Sequence, residues 1–219
     1  MVQLLLAPLV MMAATSGTAT APDGVRIHYE TAGTGRPALV LVHCWTCDGR
    51  FWKDVVDRFG RDRQVVTLDL AGHGRSGRSR KSYTMQAFGL DVKAVADALQ
   101  LDRMVLVGHS MGGAVILEAA QALGGRVVGL VPVDTLHDVE QRNDPQEVQA
   151  FLDQMRADFK GTVTGFGRQY WFVPTTPPAV ADRVLQAATT SPPESALSAL
   201  RETWSYDAAP AFDRIKVPI

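Results

Sequence analysis

A chain of 219 residues that is 46% hydrophobic and 21% charged is long enough to bury one substantial core and too apolar to be disordered as a whole. Its 22 Lys and Arg nearly balance 23 Asp and Glu, for a formal net charge of -1, so no global field recruits nucleic acid or an anionic membrane and specificity must come from a local site for a small molecule. Two cysteines cannot build a structural zinc site, and the five histidines show no ligand spacing beside them, so neither a metal nor a cofactor is expected.

The N-terminus reads LLLAPLVMMAA, an apolar run too short to span a bilayer, followed by the small residues Thr15 to Ala21. Residues 1–21 are therefore read as a signal peptide or a disordered N-terminus. The pattern suits an exported, periplasmic or secreted chain; the lack of Lys or Arg before the run and Pro8 inside it suit a cytoplasmic one. From Val25, strand-like and helix-like pieces alternate: VRIHYE, ALVLVH, RFWKDVVDRF, QVVTLDL, MQAFGLDVKAVADALQ, MVLVGHS, MGGAVILEAAQAL and VVGLVPVD. Continuous Val and Leu strands belong to a sheet covered on both faces, and their alternation with helices makes that sheet mainly parallel, an α/β core over 22–134. The helix after Tyr83 carries Phe88, Val92, Val95, Ala96 and Leu99 on one stripe and should pack on the sheet. The segment from Asp23-Gly24 to Gly33-Thr34-Gly35 suggests a small antiparallel entry hairpin.

After Asp134 the texture becomes helical. Val148, Phe151, Leu152, Met155 and Phe159 recur at helical spacing, and VADRVLQAA and SALSALRETW follow between breaks at Pro174, Pro177-Pro178 and Pro192-Pro193. Residues 135–212 are read as a helical cap over the sheet's C-terminal edge, where ligands bind in open α/β sheets, or else as an ordinary helical subdomain. Residues 213–219 resemble the start of the next core strand.

Three motifs carry chemistry. In Val42-His43-Cys44-Trp45-Thr46-Cys47-Asp48 a Cys-x-x-Cys pair lies between a strand and a helix, the placement of a redox dithiol as well as of a backbone-presenting loop. Gly72-His73-Gly74-Arg75-Ser76-Gly77 satisfies the dinucleotide-binding spacing, but Arg78 to Ser82 offer no apolar stripe for the helix that fingerprint must open. The sharpest signal is Gly108-His109-Ser110-Met111-Gly112-Gly113, a Gly-x-Ser-x-Gly turn between the strand MVLV and the helix MGGAVILEAAQAL. Such an elbow presents Ser110 outward as a nucleophile, and the helix N-terminus aims the Met111 N–H at the place where an oxyanion would form.

The order VHCW, DLAGHGRSG, GHSMGG, LVPVD resembles the α/β-hydrolase superfamily, in particular its cap-bearing esterase-like members, from about Val25 to the end of the chain. The resemblance implies that Ser110 is the nucleophile, that the N–H groups of Met111 and Trp45 form the oxyanion hole, and that His73 and His109 are structural. Cys44 stands where the family usually has glycine, and a Cys44–Cys47 disulfide would brace that loop. The superfamily order is Ser, then acid, then His, which implies that both partners follow Ile219 and that the last strands are missing. Asp134, at the end of the strand after the elbow helix, is the internal candidate for the acid. The function implied is cofactor-free cleavage of a carboxylic ester or similar acyl substrate through an acyl-serine, with haloperoxidase-like chemistry using similar groups. A non-catalytic binding module and a Cys-x-x-Cys redox protein are the alternatives.

Overall fold

The computed structural model describes residues 15–140 and 142–219. The apolar run at the N-terminus, and with it most of the segment read as a leader, lies outside the described residues. Six strands form one sheet in the order β1-β2-β4-β3-β5-β6: β1 (Thr15–Thr20), β2 (Arg26–Ala32), β3 (Ala38–Val42), β4 (Val65–Leu68), β5 (Met104–His109) and β6 (Val127–Val133). Strands β4, β3, β5 and β6 are parallel, as the Val- and Leu-rich runs predict, while β1 and β2 join antiparallel.

Thr15 to Thr20 lie inside the segment read as a leader or a disordered N-terminus. They form β1, whose partners run from Thr15 opposite Thr31 to Thr20 opposite Arg26, and the Gly24 N–H closes the turn on the Ala21 carbonyl at 2.9 Å. Alternation explains the outcome. Ala19 and Ala21 are buried, while threonines at 18 and 20 face solvent, a β-branched edge pattern that pays for its ordering only once β2 is beside it. The hairpin expected within Asp23 to Gly35 supplies only one strand there, β2, and its antiparallel partner β1 precedes that segment.

The period of two along the strands divides the core. Val40 and Val42, Val66 and Leu68, and Leu106 face α2 (Met85–Ala98) and α3 (Met111–Leu123), whose Phe88, Val92, Val95, Ile116 and Leu117 are buried among them. Leu41, Val65 and Trp52 make the smaller cluster on the opposite face, beside α1 (Lys53–Phe59). After β6 come α4 (Pro145–Ala157), α5 (Phe159–Tyr170), α6 (Pro178–Thr190), α7 (Pro193–Trp204) and α8 (Ala209–Arg214). Helices α4 to α7 close around Val148, Leu152, Met155, Val163, Ala188 and Leu200, a cluster separate from the sheet core. The stripe expected to run on to Phe159 divides, because Asp158 accepts from the Gly161 N–H at 2.9 Å and caps a new helix. At the end of the chain the Pro218 carbonyl accepts from the Leu130 N–H at 2.9 Å, which sets residues 215–219 beside β6. No helix among the described residues is long and apolar enough to cross a membrane.

The segment after β4 is fixed by buried charge rather than by a dinucleotide-type helix, since α2 begins only at Met85. Asp69 accepts from the backbone N–H groups of Gly49 and Arg75, both at 2.8 Å. Arg80, with 4% of its side chain exposed, forks onto the fully buried Asp91 at 2.6 and 3.0 Å and reaches Asp23 at 2.7 Å, while Asp91 also accepts from the Ala71 N–H at 3.1 Å. One ion-pair network thus ties the entry hairpin, the loop after β4 and α2 together.

Candidate active site

The register of the sheet assembles the candidate site. Val42 pairs with Gly108 and His109 with Val133, so the loops leaving β3, β5 and β6 start side by side at the C-terminal edge. Four of the five described non-glycine residues with positive φ lie in these loops: Thr46 (59°), Ser110 (52°), Asp134 (49°) and Leu136 (57°). Left-handed backbone at residues other than glycine is costly and collects where a structure holds groups for function.

Ser110 occupies the single position between β5 and α3, with φ 52° and ψ -117°. Its N–H donates to the Val133 carbonyl at 3.1 Å, its carbonyl accepts from the Gly113 N–H at 2.8 Å, and its side chain is exposed. Two glycines make the turn passable. A Cβ on Gly108 would drive into the Gly112 carbonyl, and one on Gly112 would come within 2.6 Å of the Val42 carbonyl oxygen. A Gly108→Val variant is accordingly expected to lose at least about 2 kcal/mol of stability by overpacking against backbone that cannot move aside. Chemical denaturation checks this, and an unchanged midpoint would mean the elbow is not built as described.

The main-chain N–H groups of Met111 and Trp45 have no hydrogen-bond acceptor among the described residues. Met111 opens α3, so its N–H is one of the unpaired donors of a helix N-terminus. Trp45 belongs to the loop after β3, and its indole N–H donates to the Ala196 carbonyl of α7 at 2.7 Å while the ring stands edge-on to Trp171 at 6.3 Å. Cys44 and Cys47 are joined by a disulfide across that loop. Further links bind the edge to the helical layer: the Ser191 hydroxyl reaches the Thr46 carbonyl at 3.2 Å and the Ser195 hydroxyl the Gly72 carbonyl at 3.0 Å. Of two cavities, one of about 320 Å³ beside Tyr206 and one of about 700 Å³ between α4 and α5, neither is lined by Ser110.

The histidines divide by environment. His43 is buried; its Nε2 accepts from the Leu70 N–H at 2.9 Å, which leaves Nδ1 to carry the proton and donate to the Cys44 carbonyl at 2.7 Å. Burial lowers its pKa. His73, its ring tilted against that of His43 with centroids 5.1 Å apart, donates from Nδ1 to the Ala71 carbonyl at 3.0 Å, and burial pushes its pKa down to about 3. His109 turns to the other side of the elbow, edge-on to Trp52 at 6.4 Å. His137 lies 3.7 Å from the Asp134 carboxylate, both well exposed. Asp134 thus sits next to the elbow in the sheet register, yet its carboxylate faces His137, and no described histidine hydrogen-bonds Ser110.

A pH dependence follows from His73. Its folded pKa of about 3 lies below the free value of 6.5, so the unfolded chain binds the extra proton between these values. The stability it lends is complete above 6.5 and is lost as pH falls toward 3. Denaturation midpoints should therefore drop on acidification across that window, and a His73→Asn variant, whose amide cannot titrate, should show a shallower decline. Equal slopes would contradict the buried neutral ring.

Sequence reasoning did not single out Thr46, Leu136 or the Arg80–Asp91 pair. Asp91 carried a signal, a carboxylate one position from Val92 on an otherwise apolar helix stripe, but its partner is not readable from spacing alone.

Comparison with known proteins places this geometry. Residues 37–211 match the family described as alpha/beta hydrolase fold. Over 172 residues the chain is 33% identical to a non-heme chloroperoxidase of Streptomyces lividans, covering 70% of this chain and 62% of that protein. Among solved structures, an esterase from Exiguobacterium antarcticum superposes with a TM-score of 0.84 at 21% identity, covering 93% of this chain and 78% of that one. A bromoperoxidase from Bacillus anthracis gives 0.82 at 21% identity over 93% and 79% of the two chains. The chain spans less than two thirds of the length of the curated relatives it matches. With a family match over most of its length, a mixed sheet of the matching topology and the elbow at the C-terminal end of β5, the chain belongs to the alpha/beta hydrolase fold family.

Proposed function

We propose that the protein is a serine hydrolase that cleaves a carboxylic ester or similar acyl substrate through an acyl-serine intermediate. The observation that carries this reading is the exposed Ser110 at φ 52°, flanked by loops whose Trp45 and Met111 N–H groups have no acceptor among the described residues. In the first half-reaction the Ser110 hydroxyl loses its proton to a base, its oxygen bonds the carbonyl carbon, and the carbonyl oxygen takes negative charge that is stabilised by accepting hydrogen bonds from the two N–H groups. The alcohol leaves with a proton, and water repeats the sequence to release the acid and regenerate Ser110. Asp134 is the described carboxylate nearest the elbow in register and is the candidate for orienting the histidine base. No step calls on a metal or an organic cofactor. In this reading α4 to α7 form a cap that encloses a small-molecule substrate through Trp45, Thr46 and Gly72.

The name of the Streptomyces lividans relative, a non-heme chloroperoxidase, favours a second reading on the same groups, in which hydrogen peroxide replaces water as the attacker of the acyl-serine. Labelling the full-length protein with a fluorophosphonate tests the shared core of both. The adduct is expected on the peptide containing Ser110; a stable binding module or a dithiol redox protein would take none.

A further inference from the structure

We infer that the Cys44–Cys47 disulfide positions the Trp45 N–H as an oxyanion donor, so that opening the ring slows acyl transfer without weakening substrate binding. The inference rests on the Ser110 reading above and adds a residue pair that the elbow chemistry by itself does not require.

One peptide plane links the disulfide to the donor. In a trans peptide the C=O and the N–H point in opposite directions, so whatever holds the Cys44 carbonyl also aims the Trp45 N–H. Two donors hold that carbonyl. The Nδ1–H of buried His43 reaches it at 2.7 Å, with His43 itself anchored by the Leu70 N–H, and the Cys47 N–H reaches it at 3.2 Å. The second of these lies inside the ring that the disulfide closes, with the two Cα atoms 5.2 Å apart.

Thr46, between the two cysteines, has φ 59°, a conformation that a β-branched residue adopts only when its surroundings impose it. Its hydroxyl bonds the Trp45 carbonyl at 2.6 Å and its own carbonyl accepts from Ser191 at 3.2 Å. On the outer side the Trp45 ring is pinned to Ala196. The ring, the left-handed Thr46 and the Cys47 hydrogen bond are one unit. Without the S–S bond, Thr46 is free to relax to negative φ, the Cys47 N–H leaves the Cys44 carbonyl, and the peptide plane keeps only His43.

Cys44 is partly exposed and Cys47 is buried, so thiolate attack reaches the pair from Cys44. A dithiol such as dithiothreitol supplies the electrons: its first thiolate forms a mixed disulfide with one cysteine, its second displaces that cysteine, and the protein gains two electrons and two protons while the reagent closes to a cyclic disulfide. Loss of one oxyanion donor lowers kcat by about 10² to 10³; a loosened donor retains part of that.

The test compares oxidised and dithiothreitol-reduced full-length protein on a p-nitrophenyl ester, with ring opening verified by thiol alkylation and mass. The account expects kcat to fall at least about tenfold with KM unchanged within about twofold, and the affinity of a boronic acid that forms a tetrahedral adduct on Ser110 to fall in parallel. A Cys44→Ser/Cys47→Ser variant should share the reduced protein's kcat and ignore dithiothreitol. Merely structural loosening would move the melting temperature and KM instead. Equal kcat in the fully reduced and oxidised forms overturns the inference, as does a loss that dithiothreitol also causes in the double variant. Failure of the serine-hydrolase reading is a different result: neither form hydrolyses ester or takes fluorophosphonate.

Discussion

Ser110→Ala in the full-length protein is expected to lower kcat for an activated ester by about 10⁶-fold, the scale set when a serine acting with its base is removed. Folding should be nearly untouched, because the hydroxyl is exposed and alanine meets the same φ of 52° as serine does. The companion variant separates chemistry from architecture. Ser110→Gly removes the Cβ that is strained at that φ and should be equally inactive but more stable, by roughly 1 kcal/mol. Steady-state kinetics and denaturant unfolding on the two variants check both halves. A Ser110→Ala protein that keeps more than a tenth of the rate would show that the elbow is not where the reaction occurs.

The largest effect on stability is expected at Arg80. Its side chain is 4% exposed and its partner Asp91 is fully buried, so Arg80→Met strands a carboxylate in the core, a loss of about 3–5 kcal/mol. For a chain of this size that lowers the melting temperature by roughly 10 °C. Burial already pushes Asp91 up to about 6 despite its arginine; without Arg80 the carboxyl takes a proton in the folded state and gives it up in the unfolded one. The folded variant then binds the extra proton above the unfolded value of 3.8, and its stability falls as pH rises, so the deficit against wild type should be larger at pH 8 than at pH 5. Arg80→Met/Asp91→Leu should recover part of the loss but not all, because the Ala71 N–H still lacks the acceptor it had at 3.1 Å. Thermal melts at the two pH values suffice. A single variant as stable as wild type would contradict the network.

The legible parts of the molecule were those whose physics is local. The Val and Leu runs at 38–42, 104–109 and 127–133 state a parallel sheet covered on both faces, and the Gly-x-Ser-x-Gly pattern states an elbow because Gly108 is needed by Gly112 in the same motif, although what needs Gly112 is the distant Val42 carbonyl. β1 was hidden because Thr15 to Ala21 share small residues with a cleavage region, and only pairing with β2 gives them an inside. α5 was hidden by Gly161, Gly165 and Gly167, each of which lowers helix propensity; Asp158 at its N-cap and packing of Val163 in the helical layer offset them.

At the candidate site, sequence pointed to Ser110, Met111 and Trp45 but not to what aims them. The positive φ of Thr46, Asp134 and Leu136 runs against their residue types, and these residues come together only because the strand register sets three loop starts side by side. His43 looked like part of a motif; its work is to hold the Cys44 carbonyl, a contact between neighbouring residues that depends on Leu70, 27 positions away.

The most direct measurement is the mass of the full-length protein quenched during turnover of p-nitrophenyl acetate, followed by mapping of the modified peptide. The account predicts one acetyl group per chain, on Ser110. Turnover with no acetyl on the protein, or with acetyl on a cysteine or lysine instead, would contradict it.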